Sequence, residues 1–368
     1  MLPPRLIRRL VLAPLVVAIA AGLAVLTPAV AVLTAVFGLV RRRTRSGRPR
    51  RGRMLRVVWV ALAWSVGETA ALTVLLSLWI VSGFGGRLDT EPYRTRHYAI
   101  MGWFLDLVYR AARRACGLRV EVAAPPDASL LGDRPVIVLS RHAGPGDSLL
   151  LVHHLLTDCG RRPRIVMKAT LQLDPSLDIV ANRVPNAFLR HGPRRIEAVA
   201  RASGRQTEQI RLIKRLADGL DDRGAFVIFP EGGNWTPLRW RRGIERLRRQ
   251  GHVGLAERAA AMPNLLPPRS GGAFAAIGAR PDADVIFVAH TGLDRLVSVR
   301  DVWQSLLTDV TVHARWWRVP TADVPRMAGH EAQVDWLYNW WERIDAWITE
   351  VSGGAMIGQT STASEAGE

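Results

Sequence analysis

Two long hydrophobic runs open the chain, and short alternating runs follow them. Residues 10–40, LVLAPLVVAIAAGLAVLTPAVAVLTAVFGLV, contain no charge. Residues 57–84, VVWVALAWSVGETAALTVLLSLWIVSGF, form a second run with Glu68 near its middle. About 20 such residues span a hydrocarbon core, and the first run is too long for the apolar region of a signal peptide, about 7–15 residues. Both runs therefore predict membrane-embedded helices. Pro14 and Pro28 in the first, and Gly67-Glu68 in the second, predict hairpins that dip into the bilayer and return. A carboxylate at that depth is costly unless protonated, paired or wetted. Glu68 thus marks a shallow or re-entrant segment, or a helix–helix contact.

Residues 97–116 carry apolar positions early and Arg110, Arg113 and Arg114 late, where cations suit a helix dipole. They predict an amphipathic helix, packed or lying on a membrane face. From residue 118 the period changes. Strand-like runs fall at 118–122, 135–140, 164–168, 186–190, 225–229, 284–290 and 310–316. Helix-like runs lie at 147–158, 205–221, 238–260, 271–279 and 330–351, the last with Trp336, Trp340 and Trp347 on helical spacing. Strands alternating with helices predict an α/β fold: a central mixed, largely parallel sheet flanked by helices, behind an N-terminal hydrophobic helical membrane anchor. The expected organisation is an anchor at 1–96 with a basic loop at 41–56, a catalytic domain at 97–351, and a disordered tail at 352–368.

Composition sharpens the membrane reading. Hydrophobic residues make up 48% of 368, beside 22% charged ones, which suits apolar segments attached to a polar body. The net charge is +18, yet residues 1–60 hold twelve Arg and no acid, leaving +6 for the rest. A nucleic-acid binder spreads positive charge over its folded domain; here the excess flanks apolar runs, which points to a membrane surface. Nine Arg in 41–56 place that loop on the cytoplasmic side by the positive-inside rule. Cys116 and Cys159 make no disulfide framework and no metal-ligand spacing.

Chemistry concentrates at two strand ends. In LSRHAGPGDSLLL, residues 139–151, His142 and Asp147 flank Gly-Pro-Gly. Residues five apart on a straight helix point about 140° away from each other, so only a turn brings these two together. Ala-Gly-Pro-Gly is turn chemistry, and Asp147-Ser148 is a good N-cap pair for the next helix. His142 would sit at the carboxyl end of a strand, where open α/β sheets place ligands. A neutral His there can take a proton from a hydroxyl while Asp147 fixes its tautomer. The plainer alternative is a capping Asp beside an incidental His. In FPEGGNWT, residues 229–236, Glu231 follows another strand, and Gly232 and Gly233 permit close backbone approach to a ligand. The chain has no G-x-S-x-G nucleophile elbow.

H-x4-D followed some 85 residues later by F-P-E-G, behind membrane segments, resembles the glycerolipid acyltransferases of the PlsC type, over roughly 100–345. Between those motifs, MKATLQLDPSL resembles the family's K-x-x-L-x-x-x-P run and supplies Lys168. NRVPNAFLRHG supplies Arg190, with Arg183 as a rival, for the acceptor's phosphate. The segment LLPPRSGGAFAAIG resembles the family's Pro-Arg-x-x-Gly segment, and VHARWWRVPTADVP and WLYNWWERIDAWI resemble the C-terminal part of the branch that includes lysocardiolipin acyltransferases. Two positions depart from the pattern: Arg141 stands where Asn is usual, and Gly233 where Thr or Ser is usual. His290 is an extra polar residue at a strand end.

The resemblance implies acyl transfer from a thioester (acyl-CoA or acyl carrier protein) to a lysophospholipid hydroxyl. His142 acts as base, Asp147 orients it, and Glu231 and Gly232 meet the acceptor's glycerol. Arg190 holds its phosphate, Lys168 is a further substrate-binding residue, and amides near Gly144 and Gly146 stabilise the oxyanion. It implies no cofactor and no metal. Partners are membrane lipids and the acyl donor, without nucleic acid, at the cytoplasmic face of the cell membrane. Glycerol-3-phosphate, lysocardiolipin or a glycolipid are alternative acceptors, and an inactive lipid-binding protein is the alternative of another class.

Overall fold

The computed structural model describes residues 2–42, 52–123, 134–189, 198–293 and 310–364. The chain divides into two compact units: 1–119, 150–194 and 298–310 form the first, and 120–149, 195–297 and 311–368 the second.

The first unit begins with a short helix α1 (Arg5–Ile7) and a π-helical stretch, Arg8–Leu12, that lead into α2 (Ala13–Arg42). Helix α3 (Gly52–Val81) packs against α2. Two spans here, Arg5–Ala29 and Arg56–Val81, are long and apolar enough to cross a membrane by length and composition. Neither helix folds back on itself, so the expected hairpins are corrected. At about 1.5 Å per residue, 30 helical residues extend about 45 Å. Pro28 sits inside α2 without ending it, since the loss of one amide donor is small against the rest of the ladder.

Gly67 does not break α3 either. A Cβ there would lie 2.8 Å from Leu107 Cδ2 and 3.2 Å from the Phe104 ring, so glycine lets α4 (Glu91–Cys116) approach closely. Trp64 meets Phe104 edge to face just beside this point. Glu68 is buried and accepts from the Ser176 amide at 2.8 Å and the Ser176 hydroxyl at 2.6 Å. The contact alternative is the one observed: Glu68 joins α3 to α6 (Pro175–Ala181). Helix α4 starts at Glu91, six residues before the amphipathic pattern, because Thr90 is its N-cap and Pro92 suits the first turn. Leu75, Tyr98, Met101, Val180 and Val184 form the buried core of this unit.

Strands β3 (Arg162–Lys168) and β4 (Ala187–Leu189) also belong to the first unit and pair in parallel. In the second unit the strand order is β1-β7-β6-β2-β5, from β1 (Arg119–Ala123), β2 (Val136–Ser140), β5 (Gly224–Ile228), β6 (Asp284–Thr291) and β7 (Thr311–Val319). Central β2 runs parallel to both β5 and β6, while β6 and β7 are antiparallel. The sheet is thus mixed and largely parallel, as read from the sequence. Every residue of β2 and β6 is buried, which is why Val136–Leu139 and Val285–Ala289 read as unbroken apolar runs.

Helix α5 (Pro145–Thr157) follows β2, and α7 (Ala198–Asp218) precedes β5. The run read as one helix at 238–260 is two, α8 (Pro237–Arg249) and α9 (Val253–Ala260). Gly251, at φ +81°, breaks it in the left-handed conformation that glycine favours. Helix α10 (Ser270–Ala279) packs against α7, and α11 (His330–Ser364) packs against β6. Phe287 of β6 stacks on Trp340 at 4.6 Å, and Trp347 meets Trp317 of β7. The helix α11 continues past Val351, where the composition predicts a disordered tail; no proline interrupts its backbone ladder.

Candidate active site

Three strand ends of the second unit converge. Register pairs Leu139 with Ile228 on one side and Ser140 with Val288 on the other. The chain therefore leaves β2, β5 and β6 at similar heights, carrying Arg141-His142, Glu231 and His290.

The turn after β2 closes around one carboxylate. His142 Nδ1 lies 3.2 Å from both oxygens of Asp147. Asp147 Oδ2 also accepts from the Ala143 amide at 2.6 Å and the Gly144 amide at 3.0 Å. Its Oδ1 accepts from the Ser148 amide and from Ser148 Oγ at 3.0 Å. The capped turn and the base–carboxylate pair are therefore one structure. Burial alone would raise the Asp147 carboxyl. The His142 hydrogen bond, the His290 and His142 charges and the Gly144 amide outweigh it and hold the group at about 2. Asp147 is thus ionised and acceptor-only, so Nδ1 of His142 carries the donated proton, and in the neutral imidazole Nε2 keeps a lone pair. The His142 side chain keeps 14% of its surface exposed, enough to meet a hydroxyl, and its ring lies 4.5 Å from that of Phe229.

The Gly144 N–H, expected at the oxyanion, donates to Asp147 in this structure. Gly146 stands in the first turn of α5, where amides lack intrahelical acceptors.

The glycine-rich turn is bound to the same place. The His142 amide donates to Glu231 Oε2 at 3.3 Å, and the Trp235 amide donates to the His142 carbonyl at 2.8 Å. Burial pushes the Glu231 carboxyl up to about 8, and the Asp147 charge acts the same way. The Arg141 charge and the His142 and Leu266 amides oppose them. Glu231 is therefore mostly protonated at neutral pH. Gly232 has φ +69°, and a Cβ on it would lie 3.1 Å from the Arg269 guanidinium carbon. Glycine is required here on both counts. Glu231 Oε1, Asn234 Oδ1 and Trp235 Nε1 are buried without a hydrogen-bond partner among the described residues. The sequence reading passed over Asn234 and Trp235; their place inside FPEGGNWT was the available signal.

Arg141 and His290 form a reciprocal clasp. The buried Arg141 guanidinium donates to the His290 carbonyl at 2.5 Å and the Asn264 carbonyl at 3.1 Å. In return, His290 Nε2 lies 3.3 Å from the Arg141 carbonyl and 3.5 Å from Asp147 Oδ2. Arg141 thus joins the end of β2 to the end of β6, and His290 adds a second imidazole to Asp147. Neither role was readable from an Arg in the place of an Asn.

The other expected residues belong to the first unit or lie outside the described residues. Lys168 ends β3 in the first unit and is exposed. Arg190 lies outside the described residues. Arg183 lies in the first unit, its Nη1 donating to the Leu75 carbonyl at 2.9 Å and lying 3.3 Å from His97 Nε2. Among the described residues, no group of three or more His, Cys, Asp or Glu is placed to hold a metal.

A base, its buried carboxylate and a glycine-rich turn at the carboxyl ends of parallel strands define an acid–base site on an α/β fold. Residues 119–290, from β1 to the end of β6, match the family model described as Acyltransferase, and this stretch is an acyltransferase-family domain. No curated protein matches the chain. Among solved structures, the 1-acyl-sn-glycerophosphate (LPA) acyltransferase, PlsC, from Thermotoga maritima is similar at 15% identity. The likeness covers 77% of this chain and 97% of that one, with a TM-score of 0.40.

Proposed function

We propose that this protein moves a fatty acyl group from a thioester, carried by CoA or acyl carrier protein, to a lysophospholipid hydroxyl. The acceptor is 1-acylglycerol-3-phosphate and the product phosphatidic acid. The observation that carries the reading is the His142–Asp147 pair within an acyltransferase-family domain.

His142 Nε2 takes the acceptor's hydroxyl proton as that oxygen attacks the thioester carbonyl. The C–O bond forms, the C–S bond breaks, and the proton passes to the leaving thiolate. The alcohol is itself the nucleophile, so no acyl-enzyme is needed. Asp147 stabilises the imidazolium between the two transfers. Glu231, protonated at neutral pH, can both donate to and accept from a glycerol hydroxyl. Gly146 offers an amide to the oxyanion. The family resemblance assigns the acceptor's phosphate to Arg190 and makes Lys168 a further substrate-binding residue. Two long apolar helices, largely exposed in this chain, support attachment to the cell membrane, with catalysis on the cytoplasmic face where thioester donors reside.

Mass spectrometry of lipids formed by the purified protein from mixed lysolipids and acyl-CoAs tests the reading. Phosphatidic acid should form, and His142→Ala should abolish transfer while the circular dichroism spectrum is unchanged. Full activity in the variant sinks the assignment. Product from lysocardiolipin or a glycolipid alone would keep the chemistry and change the acceptor.

A further inference from the structure

The segment that leads into α2 is inside out for a chain in water. In Arg5-Leu6-Ile7-Arg8-Arg9-Leu10-Val11, Leu6 and Leu10 are each 72% exposed, whereas Arg8 is 7% exposed. Within the π-helical stretch Arg8–Leu12 the Arg8 side chain turns inward, while Leu10 and Val11 turn outward. Arg8 Nη2 donates to Asp178 Oδ1 at 2.7 Å, and Arg9 Nε to Asp178 Oδ2 at 3.2 Å. Asp178 is fully buried on α6, with Asn182 Nδ2 3.3 Å from the same Oδ1.

One carboxylate does not neutralise this cluster. Arg183 lies within the fields of Arg9 and Arg5; burial and those two charges hold its guanidinium down at about 10. Neighbouring His97 is on the neutral side: burial and the Arg183 charge lower it, against the Tyr93 carbonyl at Nδ1, which raises it. The remaining acids near α6, Glu68 and Asp174, are engaged by Ser176 and the Leu177 amide. Arg8 and Arg9 thus share one carboxylate, while the Arg9 and Arg5 charges also bear on Arg183. Arg9 Nη2 and Arg8 Nε are buried with no hydrogen-bond partner among the described residues.

We propose that Arg5, Arg9 and Arg183 form a seat for the phosphate of a bilayer phospholipid, whose acyl chains lie along the exposed face of Leu6, Leu10 and Val11. A phosphate diester supplies the missing anion, and guanidinium forks match its oxygens. The apolar face beside the charges requires an amphiphile, which free phosphate is not. The seat lies wholly within the first unit and does not depend on the acyltransferase reading.

Native mass spectrometry of the full chain, released from micelles doped with either phosphatidylglycerol or diacylglycerol, tests this. The wild-type chain should retain one phosphatidylglycerol and no diacylglycerol. Arg9→Gln should retain it roughly tenfold less, the loss of one charge-assisted contact, and Arg9→Lys should recover part of it. Equal retention of diacylglycerol by the wild-type chain overturns the proposal without any variant. So does unchanged phosphatidylglycerol retention in Arg9→Gln, or a dimer of the chain in place of the lipid adduct. A higher KM for lysophosphatidate in Arg9→Gln would overturn the resident-lipid assignment and make the seat an acceptor site.

Discussion

Replacing Glu231 with Gln should make the protein less sensitive to rising pH. In the folded chain the Glu231 carboxyl sits at about 8, against an ordinary value of 4.5, with burial as the main cause. Between those values the unfolded chain has released a proton that the native chain still holds. Native protein binds more protons, so stability falls as pH rises through this window and levels off above about 8. At about 1.36 kcal/mol per tenfold change in proton affinity, the full effect is about 5 kcal/mol, and about 3.5 kcal/mol of it falls between pH 5 and 8. Glutamine resembles the protonated carboxyl, keeps an oxygen for the His142 amide and cannot ionise. Urea unfolding of both proteins in neutral detergent at about pH 5 and about pH 8 reads the difference directly. Wild-type protein should lose about 3 kcal/mol more than Glu231→Gln across that interval. Parallel losses in the two proteins would mean that Glu231 is ionised at neutral pH, and would refute the reasoning.

Three further substitutions probe the same cluster. Asp147→Asn removes the anion facing His142 Nδ1 and should lower kcat by roughly a thousandfold in a radiolabelled acyl-transfer assay; a loss under tenfold would remove Asp147 from the mechanism. Because its carboxyl is depressed, the stability Asp147 contributes is present above its ordinary value of 3.8 and is lost as pH falls toward about 2, so acid unfolding of the variant should lack that component. Arg141→Met leaves the buried His290 and Asn264 carbonyls without their donor and should destabilise by about 3 kcal/mol in urea titration. Gly232→Ala forces a side chain into the left-handed region and against Arg269, which should cost about 1–2 kcal/mol and lower activity. Unchanged melting in Gly232→Ala would show that the turn has another accessible conformation.

The strands were legible because the buried ones are apolar without interruption. Val136–Leu139 and Val285–Ala289 have both faces covered, so no alternation was needed to find them. The His142–Asp147 turn was legible because its geometry is local, set by Gly-Pro-Gly and an N-cap residue within a few positions. What sequence could not supply was tertiary. Gly67-Glu68 looks like a hinge until Phe104, Leu107 and Ser176 are seen to occupy it. Arg141 had no reading because its partners are backbone carbonyls of residues 264 and 290, which composition cannot announce. The inverted exposure of Arg8 and Leu10 is invisible for the same reason, since a helix's outward face depends on what surrounds it.

The placement of the site on adjacent strands separates two kinds of tolerance. His142 and Glu231 are 89 residues apart, and Arg141 and His290 are 149 apart, yet a ladder of backbone hydrogen bonds fixes each pair. Connections between those strands can lengthen at small entropic expense without moving the cluster, because contour length enters only logarithmically. The five-residue interval from His142 to Asp147 has no such freedom. One residue more would carry the carboxylate past the imidazole and past the amides of Ala143 and Gly144 together. The short interval is the rigid gauge of this site, and the long ones are slack.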